Sequence, residues 1–128
     1  MWRSSSILAC AALIGVAACS PTDPTVCTLE ARAGITVEIR DARTFAPIAA
    51  AATVEIRDGG YVETIGAVTG GGGATDLQKW GAYERAGTYT VTVQRPGYAT
   101  LTIPGIVVAS GVCHVVTVTV QANLTALP

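Results

Sequence analysis

The sequence predicts an all-β chain: a seven-stranded antiparallel β-sandwich preceded by a signal peptide. Three observations predict it. Apolar and polar residues alternate in short runs separated by turns rich in Gly, Pro and Asp, the period-two pattern of half-buried strands. No segment carries the apolar spacing of a long helix, which excludes a parallel βαβ architecture. Charged residues make up only 13% of the chain, well below the usual quarter, while Thr, Val, Ala and Gly abound. That balance suits strands with hydroxylated outer faces and supplies ample apolar material for a core.

At the start of the chain, Met1-Trp2-Arg3 and three serines precede an uncharged apolar run over residues 7–18. The run is shorter than the ~20 residues a membrane helix needs. A basic start, an apolar stretch and small residues before a break make a secretory signal. Val16-Ala17-Ala18-Cys19 resembles a bacterial lipobox, which implies cleavage before Cys19 and acylation of that residue; the alternative is an ordinary signal with a chance cysteine. One acyl chain binds only marginally, whereas several anchor firmly. Ser20 stands where some inner-membrane lipoproteins carry Asp, which favours the outer membrane. The expected organisation is a signal peptide at 1–18, a Pro-bearing tether at 19–26 and a domain at 27–128.

Within the domain, Ile35, Val37 and Ile39 alternate with Thr36, Glu38 and Arg40, giving a first strand. Val54 and Ile56 alternate with Glu55 and Arg57 before Asp58-Gly59-Gly60, and residues 61–65 return as a hairpin partner. Residues 70–73 are four glycines with no Gly-Lys-Ser/Thr after them, a loop rather than a phosphate cradle. Residues 77–84 read equally as a short strand or a helical turn. Tyr89, Val91 and Val93 alternate with threonines up to Arg95-Pro96-Gly97, and residues 98–103 return as a strand stopped by Pro104-Gly105. Residues 106–109 and 112–121 complete the set, with Val116, Val118 and Val120 sharing one face. Val37-Glu38-Ile39-Arg40-Asp41 recurs as Val54-Glu55-Ile56-Arg57-Asp58, too short an echo to be a duplication.

Of four cysteines, Cys10 leaves with the leader and Cys19 takes lipid. Cys27 and Cys113 remain, with one pairing open to them. An exported chain matures where disulfides persist, so the expectation is a bond worth ~4–5 kcal/mol by loop closure; the alternative is two free thiols.

Residues 35–56 resemble the opening of carboxypeptidase regulatory-like domains, which are transthyretin-like and Ig-like β-sandwiches. Asp41, Thr44, Pro47, Ile48 and the alanines at 49–52 carry the likeness. Gly87-x-Tyr89-x-Val91-x-Val93 followed by Gly97-Tyr98 is similar to a second signature of the family. At Phe45-Ala46 the chain departs from it, because a turn glycine is common there. The resemblance implies an accessory or binding module and says little about activity.

The net charge is −1 and the only lysine is Lys79, so no basic patch invites nucleic acid. A single histidine, His114, falls short of the several used by transthyretin-like hydrolases, and three or four zinc ligands are not on offer. His114, placed in the last strand beside Cys113, reads as a packed or half-exposed imidazole rather than a catalytic base. Asn123-Leu124-Thr125 matches a glycosylation acceptor that is idle in most bacteria. Trp80, Tyr83 and Tyr61 are the candidate ligand contacts, since projecting aromatics stack on sugars or enter protein grooves; the alternative for Trp80 is a cap over an open end of the sandwich. The expectation is therefore a lipid-anchored envelope protein without enzymatic activity, metal or cofactor, binding a glycan or protein. Two alternatives stand beside it: a subunit of an envelope complex using an edge strand or the Ile106-Val107-Val108 run, and a divergent hydrolase built around His114.

Overall fold

The computed structural model describes residues 25–67 and 76–128. The leader, Cys19, most of the tether and the glycines at 70–73 lie outside the described residues. Seven strands form two facing sheets: β1 (Ile35–Asp41), β2 (Thr53–Asp58), β3 (Tyr61–Ile65), β4 (Gln78–Gly81), β5 (Gly87–Gln94), β6 (Leu101–Val108) and β7 (Val118–Leu124). The smaller sheet has the order β4-β1-β7 and the larger β3-β2-β5-β6. No helix occurs among the described residues, so the chain is an all-β sandwich.

The alternation sets the core. Ile35, Val37 and Ile39 of β1 meet Val54 and Ile56 of β2 and Tyr89, Val91 and Val93 of β5, all buried, while the residues between them face outward. Each such aliphatic side chain contributes about 1.5–3 kcal/mol by leaving water.

Every pairing is antiparallel except that of β1 with β7, which is parallel, with Ile35 opposite Val118 and Asp41 opposite Leu124. The cause is topological. β6 ends beside the start of β5, with Val108 opposite Gly87. The chain then crosses to the other sheet at the pole where β1 begins, and Val118 N donates to Gly34 O. β7 therefore leaves that pole in the same direction as β1.

Pro104-Gly105 does not stop a strand. β6 runs through it, because Ile103 pairs with Val91 and Ile106 with Tyr89. Two β6 residues thus oppose Thr90 alone, which is a β-bulge. Gly105 supplies the left-handed backbone with φ 73°, and the bulge resets the alternation so that Ile106 and Val108 enter the core. β6 is an edge strand, where proline is tolerated. The Ile106-Val107-Val108 run is consequently no apolar patch, since only Val107 faces solvent.

The last strand also begins later than its sequence pattern suggests. Residues 109–116 close a tight loop in which Gly111 N donates to His114 O and Val116 N to Ala109 O. Val112 and Val116 are exposed there, and His114 lies in this loop, not in a strand. The Cys27–Cys113 disulfide fastens the incoming segment to the same loop, with Cα atoms 5.2 Å apart.

At the opposite pole the β1–β2 turn is built on Asp41. Its Oδ1 accepts from Arg43 N and Thr44 N, and its Oδ2 accepts from Tyr98 Oη. These bonds, led by that from Thr44, pull the Asp41 carboxyl down to about 2. Phe45, where the resembling family commonly has glycine, adopts φ 59°, a left-handed conformation that costs a bulky residue of order 1–3 kcal/mol.

Candidate functional site

The outer face of the smaller sheet collects the polar and aromatic groups best suited to binding. β4 sets its orientation. Lys79 is fully buried, and a Cβ on Gly81 would press on Ile56 and Ile65, so both positions face the core. Side chains alternate along a strand, which turns Gln78 and Trp80 outward. Trp80 is therefore half-buried on an outer face and does not cap an open end.

The pairing register aligns three rows across this face. Trp80, Thr36 and Thr119 share one level, Gln78, Glu38 and Gln121 the next, and Arg40 and Asn123 the third. In the middle row Gln78 Nε2 donates to Glu38 Oε1 at 3.0 Å and Gln121 Nε2 to Glu38 Oε2 at 2.9 Å. Those two bonds, that from Gln121 first, hold the Glu38 carboxyl below the usual carboxylate range. Arg40 Nη2 stands 3.9 Å from Glu38 Oε2. An ionised carboxylate offers about four acceptor positions, so Glu38 keeps capacity for further donors. The arrangement is a flat row of oriented hydrogen-bonding groups beside an indole.

The other two aromatic candidates lie elsewhere. Tyr61 starts β3 in the larger sheet, half-buried, with its Oη donating to Glu63 Oε2 at 2.8 Å. The Arg85 guanidinium covers its ring at 4.1 Å, and Tyr89 meets it edge-on at 6.2 Å. Burial first and Glu63 second push the Tyr61 phenol up to about 12. The Tyr61 hydroxyl and one face of its ring are thus already engaged within the larger sheet. Tyr83 is exposed on the β4–β5 loop, at the pole where β1 begins. Sequence reasoning missed the Gln78–Glu38–Gln121 row; the signal available was three polar outward positions in separate strands, visible only once the register is known.

A second constellation surrounds His114. Its Nδ1 lies 2.7 Å from Glu84 Oε1 and its Nε2 3.0 Å from Thr28 Oγ1. Hydroxyl, imidazole and carboxylate thus stand in the order of a nucleophilic relay. Glu84, however, also accepts from Arg32 N at 2.7 Å and from Val115 N, and the Arg32 bond leads the causes that lower its carboxyl. It clamps the incoming segment to the β6–β7 loop beside the disulfide. The adjoining hollow, of about 150 Å³, is lined by Glu84, Ser110, Gly111, Cys113, His114 and Val115. A larger cleft of about 420 Å³ lies at the opposite pole, between the Asp41–Thr44 turn and residues 125–127. Among the described residues no group of His, Cys, Asp or Glu is placed to hold a metal ion.

No protein-family profile matches the chain, and no curated protein matches it. Among solved structures it is similar to a Bacteroides uniformis protein described, provisionally, as carbohydrate-binding, with a TM-score of 0.46 and 17% identity. The likeness covers 70% of this chain and 40% of that one, so the chain spans well under half of its neighbour's length.

Proposed function

We propose that the chain is a lipid-anchored, non-enzymatic binding module of the bacterial envelope, a carboxypeptidase regulatory-like sandwich that takes glycans on the outer face of its smaller sheet. Cys19 carries the anchor, and Ser20 favours the outer membrane. The observation that supports glycan binding is Trp80 beside the Gln78–Glu38–Gln121 row. The C–H face of a sugar stacks on the indole while its hydroxyls meet a preordered row of amides and a carboxylate. The carboxyl groups of Glu38, Asp41 and Glu84 are all displaced downward; a general acid working near neutrality needs the reverse.

The test is binding of the mature protein to purified peptidoglycan and to an array of neutral glycans. Trp80→Ala is expected to weaken binding about 30-fold, the ~2 kcal/mol typical of an aromatic anchor. Equal binding by wild type and variant, or no glycan bound by either, would sink the reading.

The Thr28–His114–Glu84 order favours one second reading, a hydrolase with Thr28 as nucleophile. An activated-phosphonate probe is expected to leave Thr28 unlabelled. Labelling that disappears in His114→Ala would install the hydrolase in place of the binding module.

A further inference from the structure

The exposed large apolar side chains are unevenly placed. Leu29 is fully exposed, Val26 and Val112 are each 86% exposed, and Val116 and Tyr83 are exposed as well. All five lie at the pole where the chain enters the sandwich. Val26 and Val112 are the neighbours of the bonded Cys27 and Cys113, and Leu29 follows Thr28, which is held by His114. Val116 closes the same loop, and Tyr83 precedes Glu84, which binds Arg32 N and Val115 N. Among the described residues the exposed large apolar side chains at the opposite pole are Phe45 and Leu127, and Val62 and Val107 are exposed on β3 and β6.

We propose that this entry pole is a membrane-docking surface, with Leu29, Val26, Val112 and Tyr83 seated in the interfacial region of a lipid bilayer. The proposal rests on the lipid-anchor reading of Cys19. Exposed aliphatic groups gathered on loops lose free energy to water unless something covers them. The bilayer is the occupant because of where the remaining chain leads: the few residues from Cys19 to Cys27 span at most roughly 3.5 Å each. The anchor thus holds this pole within ~30 Å of the lipid. The disulfide and the Glu84 and His114 bonds join the incoming segment, the β4–β5 loop and the β6–β7 loop, so the apolar groups move as one surface.

The attraction is apolar, not electrostatic. The charged residues here, Glu30, Arg32, Asp58, Glu84 and Arg85, are of mixed sign, and Arg85 already pairs with Asp58. Docking is therefore insensitive to anionic lipid and to salt, unlike that of a polybasic segment. It stands the sandwich upright, because the strands run from this pole. The Trp80 face then looks sideways along the membrane, and the Phe45 turn points away from it.

The test uses mature protein purified from the membranes of a producing bacterium and reconstituted into phosphatidylcholine vesicles. Leu29→Trp and, separately, Val112→Trp are made in a Trp80→Phe background, with Phe45→Trp as the far-pole control. Both entry-pole positions are exposed loop sites that accept a larger side chain. Lipids brominated high in the acyl chain are expected to quench the indole emission of the Leu29→Trp and Val112→Trp variants about twofold or more, consistent with the 5–10 Å depth of interfacial side chains, and to leave the control unaffected. Adding anionic lipid should not change the result. Acyl chains on Cys19, read by intact mass, with no lipid quenching at either position would overturn the docking surface and leave the anchor standing. Shielding from aqueous iodide without quenching by bromolipid would overturn it in favour of a second copy of the chain. A chain without acyl groups that is still quenched on added vesicles supports docking and overturns the anchor; one that stays in water overturns both.

Discussion

Breaking the Cys27–Cys113 bond, by reduction or by paired Cys27→Ser and Cys113→Ser replacement, is expected to lower stability by about 4 kcal/mol and the melting temperature by roughly 20 °C. The cross-link joins residues 86 apart in sequence, so opening it releases nearly the whole domain from a loop constraint in the unfolded state. Little is lost in the native state, because Arg32 N remains on Glu84 Oε1 and Thr28 on His114. The effect therefore acts mainly through the unfolded ensemble, and it should raise the urea m-value as that ensemble expands. A loss of this size is comparable to the ~5–15 kcal/mol stability of a small domain. Urea titrations with and without reductant measure it. A shift below about 1 kcal/mol would show that the denatured chain is already constrained or that the native bond is strained.

The sandwich was legible because its strong signals are local. The β1, β2 and β5 patterns are strict alternations of β-branched residues, and Asp58-Gly59-Gly60 is a hairpin turn in any context. The staple was legible from counting cysteines and from the expectation of export. The failures share one cause, an alternation that only the partner strand can phase. At Pro104-Gly105 the pattern breaks because a bulge inserts a residue, and from one strand alone a bulge looks like an end. In residues 112–121 the valine spacing continues through a loop, so periodicity overstated the strand at one end and missed Ala122 and Leu124 at the other. β4 is the sharpest case. Hydrophobicity alone would bury Trp80 and expose Lys79, yet the fit of Gly81 beneath Ile56 and Ile65 imposes the opposite. The candidate face inherits that inversion: its aromatic group is outside because a glycine had to be inside.

The same inversion yields the second large effect. Lys79→Met is expected to stabilise the protein by about 2 kcal/mol at neutral pH, within the range seen when buried charge gives way to apolar side chains. Lys79 is fully buried, and among the described residues its Nζ is held by one group, Gly66 O at 2.6 Å, with no carboxylate paired to it. Methionine keeps the apolar stem and much of the volume, and exposed Gly66 can give its carbonyl to water. The pH profile separates this account from simple repacking. Burial pushes the Lys79 pKa down from 10.5, so between its folded value and 10.5 the unfolded chain binds the extra proton. Wild-type stability should rise with pH through that window, the penalty being full below it. Tyr61 and Tyr98 act in the opposite sense, since both phenols are pushed above 10.0 in the fold. Above that pH the unfolded chain ionises first and stability falls. Wild type should therefore gain and then lose stability on the way to pH 11, whereas Lys79→Met should lose the gain and keep the fall. Denaturant titrations from pH 7 to 11 decide it. A variant less stable than wild type at pH 7 would mean that the ammonium is used, as a cation holding the Gly66 carbonyl just past β3.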